Sequence, residues 1–359
     1  MVTICLNMIV KNESAVIKRS LSSVKRKIDY WVILDTGSTD GTQELIRSFL
    51  HDIPGELHER PWVNFEHNRN EALALAINKA DYLLFIDADE EWIISEDFDK
   101  DSLNADFYAV KNRDQHVDLH RISLIKTHLP WIWKGVLHEE ITCSTPLKGE
   151  VLPGVVNYGL PRDGYRARDP ERYRKDAAIL EEALAKDPSN HRYVFFLAQS
   201  YAAAGELALS LKYYKKSAEV GVFPPEVFWS LFSIATLQQD LNMDPNLIIQ
   251  SYCNAFIFDP TRAEPLHHLA AFYQKRRNYV LAYIISKIAL ELPPPTSLCY
   301  VVREVYDYSL LITHACAAHS LHKVDEAKQH YLTLLSKPNL PQHVITIAQH
   351  NLAVIQRTS

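Results

Sequence analysis

Apolar positions over the first 126 residues switch repeatedly between two periods. Residues 2–10, 31–34 and 82–86 are nearly unbroken apolar runs, the signature of strands buried on both faces. Between them the spacing lengthens. Ile17, Leu21 and Val24 share one helical face, with Ser14 placed to cap it, and Leu45, Ile46 and Phe49 follow a turn-rich stretch at residues 36–41. A short strand at 56–59 and a helix over 66–79 complete a β-α-β-α-β-α-β order. That order predicts an α/β domain with a mostly parallel, Rossmann-like sheet, in which ligands sit beyond the carboxyl ends of the strands. Asp35 and Asp87 both stand at such ends.

Past residue 165 the strand pattern fades and a repeat replaces it. The small residues Ala183, Ser217, Ala255 and Ala289 recur after 34, 38 and 34 positions, and three of them open similar runs ending in Asp-Pro or Pro-Pro. This period belongs to tetratricopeptide-type helix pairs, and residues 340–355 read as a closing helix. The expected division is therefore an α/β domain over residues 1–165 and an all-α helical solenoid over 166–359. Solenoids of this kind hold peptides or partners in a groove.

Composition narrows the function. Residues 1–160 carry 17 basic and 25 acidic side chains, a net −8, which suits a divalent cation and disfavours nucleic acid as a partner. Cys5, Cys143, Cys253, Cys299 and Cys316 are far apart and form neither a disulfide framework nor a zinc knuckle, so they read as reduced core residues. No stretch is apolar for long enough to form a transmembrane segment, and the apolar start lacks a basic leader, so a cytoplasmic location is expected.

Candidate chemistry concentrates at Asp87-Ala88-Asp89-Glu90-Glu91, just past a buried strand. Carboxylates crowded this closely repel one another, and oxygen donors with open coordination positions favour Mg²⁺ or Mn²⁺; an acidic helix start has the same composition. Phosphate loops of the Gly-x-Gly-x-x-Gly and Gly-Lys-Ser/Thr kinds are missing, which argues against a dinucleotide enzyme or P-loop ATPase.

Four motifs in order resemble the family 2 glycosyltransferases of GT-A fold. They are Met8-Ile9-Val10-Lys11-Asn12-Glu13, Asp35-Thr36-Gly37-Ser38-Thr39-Asp40-Gly41-Thr42, Arg69-Asn70-Glu71-Ala72 and Asp87-Ala88-Asp89. The resemblance covers roughly residues 1–145, and the fusion to helical repeats resembles a bacterial-type subgroup, some of whose members glycosylate peptides. It implies that Val10, Asn12, Glu13, Asp35, Ser38, Arg69 and Asp87 bind a nucleoside-diphosphate sugar. Asp35 would contact the base, Asp87 the ribose or a shared ion, and Asp89 the metal. A carboxylate accepts a hydrogen bond from a base imide, which gives Asp35 a preference for uracil-type bases, although it could equally cap its own turn. Arg69 could meet phosphate with its planar fork. An inverting transfer, also implied by the family, needs one base on the acceptor side. Glu139 is the candidate, in a segment that gathers Trp131, Trp133 and Gly135, with Glu140 and Asp163 as alternatives; His138 is a candidate third metal ligand or a structural residue. The expectation is a metal-dependent inverting hexosyltransferase that uses a UDP-sugar and a peptide or glycan acceptor. A non-catalytic repeat scaffold with a degenerate sugar-nucleotide module is the alternative.

Overall fold

The computed structural model describes all residues except 114–116, 160–162, 296–299 and 359, so Cys299 lies outside the described residues. The chain divides into two compact units, Met1–Gly205 and Glu206–Ser359, so the first helix pair belongs to the amino-terminal unit.

The amino-terminal unit opens with the anticipated alternation: β1 (Ile4–Val10), α1 (Ile17–Val24), β2 (Tyr30–Asp35), α2 (Thr42–Phe49), β3 (Gly55–Glu59), α3 (Phe65–Ala76) and β4 (Tyr82–Phe85). β3, β2, β1 and β4 lie side by side and parallel, in register Val10 to Asp35 and Asp35 to Glu59. The sheet is then extended by β5 (Glu91–Ile94), β6 (Phe107–Arg113) and β7 (Val117–Lys126), and by β10 (Gly149–Tyr158) after a separate hairpin of β8 (Trp131–Lys134) and β9 (Glu140–Cys143). The strand order is β3-β2-β1-β4-β7-β6-β10-β5, and four of the seven pairings are parallel. β1, β2 and β4 are buried along nearly their whole length because helices cover one face and the β8–β9 side the other. Ile4, Leu6, Met8 and Ile33 pack with α1, while Cys5, Val32, Leu83 and Phe85 pack with Leu73, Trp131 and Trp133.

Ser14 does not cap α1. Its backbone N–H is held by Asp40 Oδ2 at 3.0 Å, and the chain makes a tight turn in which Val16 and Ile17 both donate to the Glu13 carbonyl. α4 (Arg172–Lys186) and α5 (His191–Ala203) complete this unit.

The carboxy-terminal unit is helical: α6 (Leu207–Val220), α7 (Pro224–Asp240), α8 (Pro245–Phe258), α9 (Glu264–Lys275), α10 (Tyr279–Leu290), α11 (Leu310–Ser320), α12 (Val324–Leu335) and the closing α13 (Gln342–Thr358). Each helix packs on the next. Ser217, Ala255 and Ala289 sit near the ends of α6, α8 and α10 and are fully buried, which lets neighbouring backbones approach. No helix among the described residues is long and apolar enough to cross a membrane.

Candidate active site

The carboxyl ends of β1 and β2 are tied together by side chains of the loops that follow them. Asn12, in the left-handed region at φ 55°, donates its N–H to Ser38 Oγ at 2.8 Å, and its Oδ1 accepts from Thr39 N at 2.8 Å. Glu13 N donates to Thr42 Oγ1 at 2.9 Å, and Thr36 donates through both N and Oγ1 to the Val10 carbonyl. Within this frame Asp35 is fully buried. Its Oδ1 accepts from Gly37 N, Ser38 N and Gln43 Nε2, at 2.9, 2.8 and 3.2 Å, whereas Oδ2 is buried with no donor among the described residues. An unmet buried carboxylate oxygen is costly unless a ligand donor completes it. Asp35 thus both caps its own turn and keeps an acceptor in reserve.

At the end of β4, Asp87 lies between two guanidiniums: Arg69 Nη2 reaches Oδ1 at 2.8 Å and Arg121 Nη1 reaches Oδ2 at 3.1 Å. Burial works against its ionisation, yet Arg69 and Arg121 hold its carboxyl well below the usual carboxylate range. Arg121 comes from β7, an antiparallel neighbour, and also pairs with Glu90; the sequence motifs did not point to it. Arg69 Nε in turn contacts Glu139 Oε1 at 2.5 Å, and its guanidinium lies 4.9 Å from the centre of the Trp133 ring. Glu139 Oε2 takes no hydrogen bond from the described residues. The adjacent Asn70 brackets Trp133, donating to its carbonyl at 2.8 Å and accepting from its N–H at 2.9 Å. Glu66, one turn earlier on α3, accepts from Gly135 N. One face of α3 therefore fixes both Asp87 and the β8–β9 hairpin.

The Asp89 carboxylate makes no salt bridge among the described residues, although the Arg19 guanidinium is near enough to feel its charge. Burial, with Asp87 and Glu90 adding like charge, holds its carboxyl above the usual range. The Gly164 backbone abuts it so closely that a Cβ there would stand 2.7 Å from Oδ2. A half-buried carboxylate in anionic surroundings without a salt bridge is a fitting donor for a hard cation. Asp163 makes a two-pronged pair with Arg19, at 2.7 and 3.0 Å, and this pairing lowers its pKa; Arg19 also donates to the Asp89 carbonyl. Glu140 is exposed, with Arg192 3.7 Å away. His138, at φ 51°, stacks on Phe196 of α5 at 4.0 Å, and its imidazole does not group with Asp87 and Asp89 as a set of three closely spaced ligand atoms. Gly135 and His138 both take positive φ, at 111° and 51°.

Glu13 carries a pH signature. Both its oxygens accept from Tyr165 N, at 3.0 and 3.2 Å, and burial pushes the carboxyl up to about 7, partly opposed by that N–H. The native state holds a proton that the unfolded chain releases above its ordinary value of 4.5. The contribution to stability is therefore full below about 4.5 and is lost as pH rises through about 7. Glu13→Gln removes the titration, so the variant will gain in melting temperature relative to the parent between pH 5 and pH 8. An unchanged difference across that range would refute the assignment.

Residues 5–96 match the family model described as "Glycosyl transferase family 2". The chain is 27% identical over 321 residues to a TPR repeat-containing protein of Synechococcus elongatus, covering 82% of this chain and 76% of that protein. It is 26% identical over 234 residues to the SPbeta prophage-derived glycosyltransferase SunS of Bacillus subtilis, covering 60% of this chain and 53% of SunS, so it spans about half of that relative's length. Among solved structures, a tetratricopeptide repeat protein from Parabacteroides merdae aligns with 52% of this chain and 68% of its own, at 18% identity and a TM-score of 0.40.

Proposed function

We propose, from the match of residues 5–96 to the family 2 glycosyltransferase model and the helices that follow, a metal-dependent, inverting transfer of a hexose from a UDP-sugar to a peptide or glycan acceptor. The observation that carries this reading is a pair of carboxylates at the carboxyl ends of parallel strands: Asp35, whose Oδ2 has no donor among the described residues, and Asp89, which is held among like charges. Asp35 Oδ2 would accept the imide N–H of uracil. Asp87, held ionised by Arg69 and Arg121, would accept from ribose hydroxyls or share the ion. Asp89 would hold Mn²⁺ or Mg²⁺, which when bound neutralises charge on the departing diphosphate.

Glu139 would take the acceptor proton through Oε2, since Oε1 is engaged by Arg69 and the carboxylate is thereby oriented. Two features favour it over the alternatives. Asp163 is committed to Arg19, which lowers its pKa, and Glu140 is exposed with Arg192 3.7 Å away.

Donor hydrolysis and thermal stability in nucleotide panels test this reading. UDP with Mn²⁺ is expected to raise the melting temperature, whereas ADP with Mn²⁺ leaves it nearly unchanged, and UDP-hexoses release UDP slowly when no acceptor is present. A non-catalytic scaffold would release none; protection by ADP equal to that by UDP would refute the role given to Asp35.

A further inference from the structure

The carboxy-terminal unit holds a cluster of a different chemical character. His314 on α11 and Glu326 and His330 on α12 bring three ligand atoms within 4.8 Å of one another, and Glu326 and His330 share one face of α12 at i and i+4. His314 is buried and the other two are half-buried, so the group is closed on one side and reachable by solvent on the other. Its environment is built from α10. The Tyr283 ring stacks on His314 at 4.8 Å, its hydroxyl lies 3.0 Å from each Glu326 oxygen, and Ser286 Oγ is 2.8 Å from His314 Nδ1. Lys287 and Lys323 extend over the same Tyr283 ring.

Ser286 Oγ lies 2.7 Å from the Ala282 carbonyl, the natural acceptor for its single hydroxyl proton one turn back along α10. Ser286 Oγ also lies 3.1 Å from the Tyr283 carbonyl; when its proton stays with one of these carbonyls, Oγ accepts from His314 Nδ1–H and Nε2 presents its lone pair, the tautomer that a metal selects. Nε2 faces Glu326 Oε1 at 3.1 Å, with His330 beside them, its ring centre 5.0 Å from that of His314. A cation between these atoms satisfies all three. Two imidazoles and one carboxylate are a zinc-type donor set. A zinc ion about 2.0–2.1 Å from each donor spaces tetrahedral ligands by about 3.4 Å, close to the separation already present between His314 and Glu326.

We propose that His314, Glu326 and His330 form a transition-metal site, of Zn²⁺ class, that clasps α11 to α12 with water as the fourth ligand. Ser286 positions the His314 ring from behind, as outer-shell partners of ligating histidines do. The site is independent of the oxygen-donor ion proposed for Asp89: its imidazoles select a softer metal, and it lies in the other compact unit.

Cobalt titration of the chelator-stripped full chain tests this. One equivalent of Co²⁺ is expected to produce the visible bands of four-coordinate nitrogen and oxygen ligation, which one equivalent of Zn²⁺ then removes. His330→Ala, with its helicity checked by circular dichroism, loses the bands, as does Glu326→Gln. Ser286→Ala keeps them but weakens affinity about tenfold. Bands that persist in both ligand variants overturn the assignment. So does their absence in the parent protein, which would mean that a proton, and not a metal, bridges His314 and Glu326.

Discussion

Replacing Arg69 by methionine will destabilise the amino-terminal unit by about 3 kcal/mol, the cost of breaking a largely buried ion pair from one side. Arg69 and Glu139 side chains are only 12% and 11% exposed, and Asp87 receives the other arm of the same fork. Without the guanidinium, Glu139 is left desolvated with no counter-charge, and Asp87 keeps only Arg121. Methionine fills much of the volume against Trp133, so the loss reports charge and hydrogen bonding more than packing. Urea unfolding followed by tryptophan emission measures it. Arg69→Lys should recover only part of the loss, because one ammonium cannot serve both carboxylates with the geometry of a planar fork. Transfer is expected to fall at least 100-fold in the methionine variant, since the acceptor-side carboxylate loses its orientation. A midpoint equal to that of the parent would show that the Asp87–Arg69–Glu139 chain does not form in solution.

The second large effect separates function from stability. Asp89→Asn is expected to lower donor turnover about 10³-fold, the scale of losing a preorganised electrostatic contact, while leaving the metal-free protein as stable as the parent or more so. Burial and like charges raise the folded pKa of Asp89 above its unfolded value. Its stabilising share is thus present at low pH and lost as pH rises through that raised value, above which the ionised side chain works against folding. Asparagine keeps the shape and removes the charge. Melting curves with and without Mn²⁺ provide the readout: the parent gains stability with Mn²⁺ and the variant does not. A variant that turns over donor at the parental rate would remove Asp89 from the metal role.

The parallel half of the sheet was legible because its information is local. Apolar runs end in Asp35 and Asp87, turn residues follow, and helical spacing resumes, so the strands and their carboxyl ends can be placed without knowing any distant contact. The helical repeats were legible for a similar reason, since Ser217, Ala255 and Ala289 recur where neighbouring helices must come close. Beyond Glu90 that logic fails. β5 has four residues, and β10 pairs with β6 only through a register shift between Val151 and Val156, so neither leaves a clean period. Arg121 reaches Asp87 across an antiparallel pairing that no spacing rule encodes. His138 read as a candidate third metal ligand or a structural residue, and its ring stacks on Phe196, 58 positions later, a contact that no local spacing encodes. Ser14 looked like a cap, but Asp40 from the neighbouring loop held its N–H.

Asn70 imposes a consequence on the β8–β9 hairpin. A carboxamide that engages both the carbonyl and the amide of one residue acts as an index pin, because sliding the ribbon by a single position would present it with a backbone facing the opposite way. The distance from Trp133 to Glu139 is then set by six residues of chain counted from a fixed point. The reach of that carboxylate is thus dictated from α3, leaving the outer edge of the hairpin free to vary in length and composition.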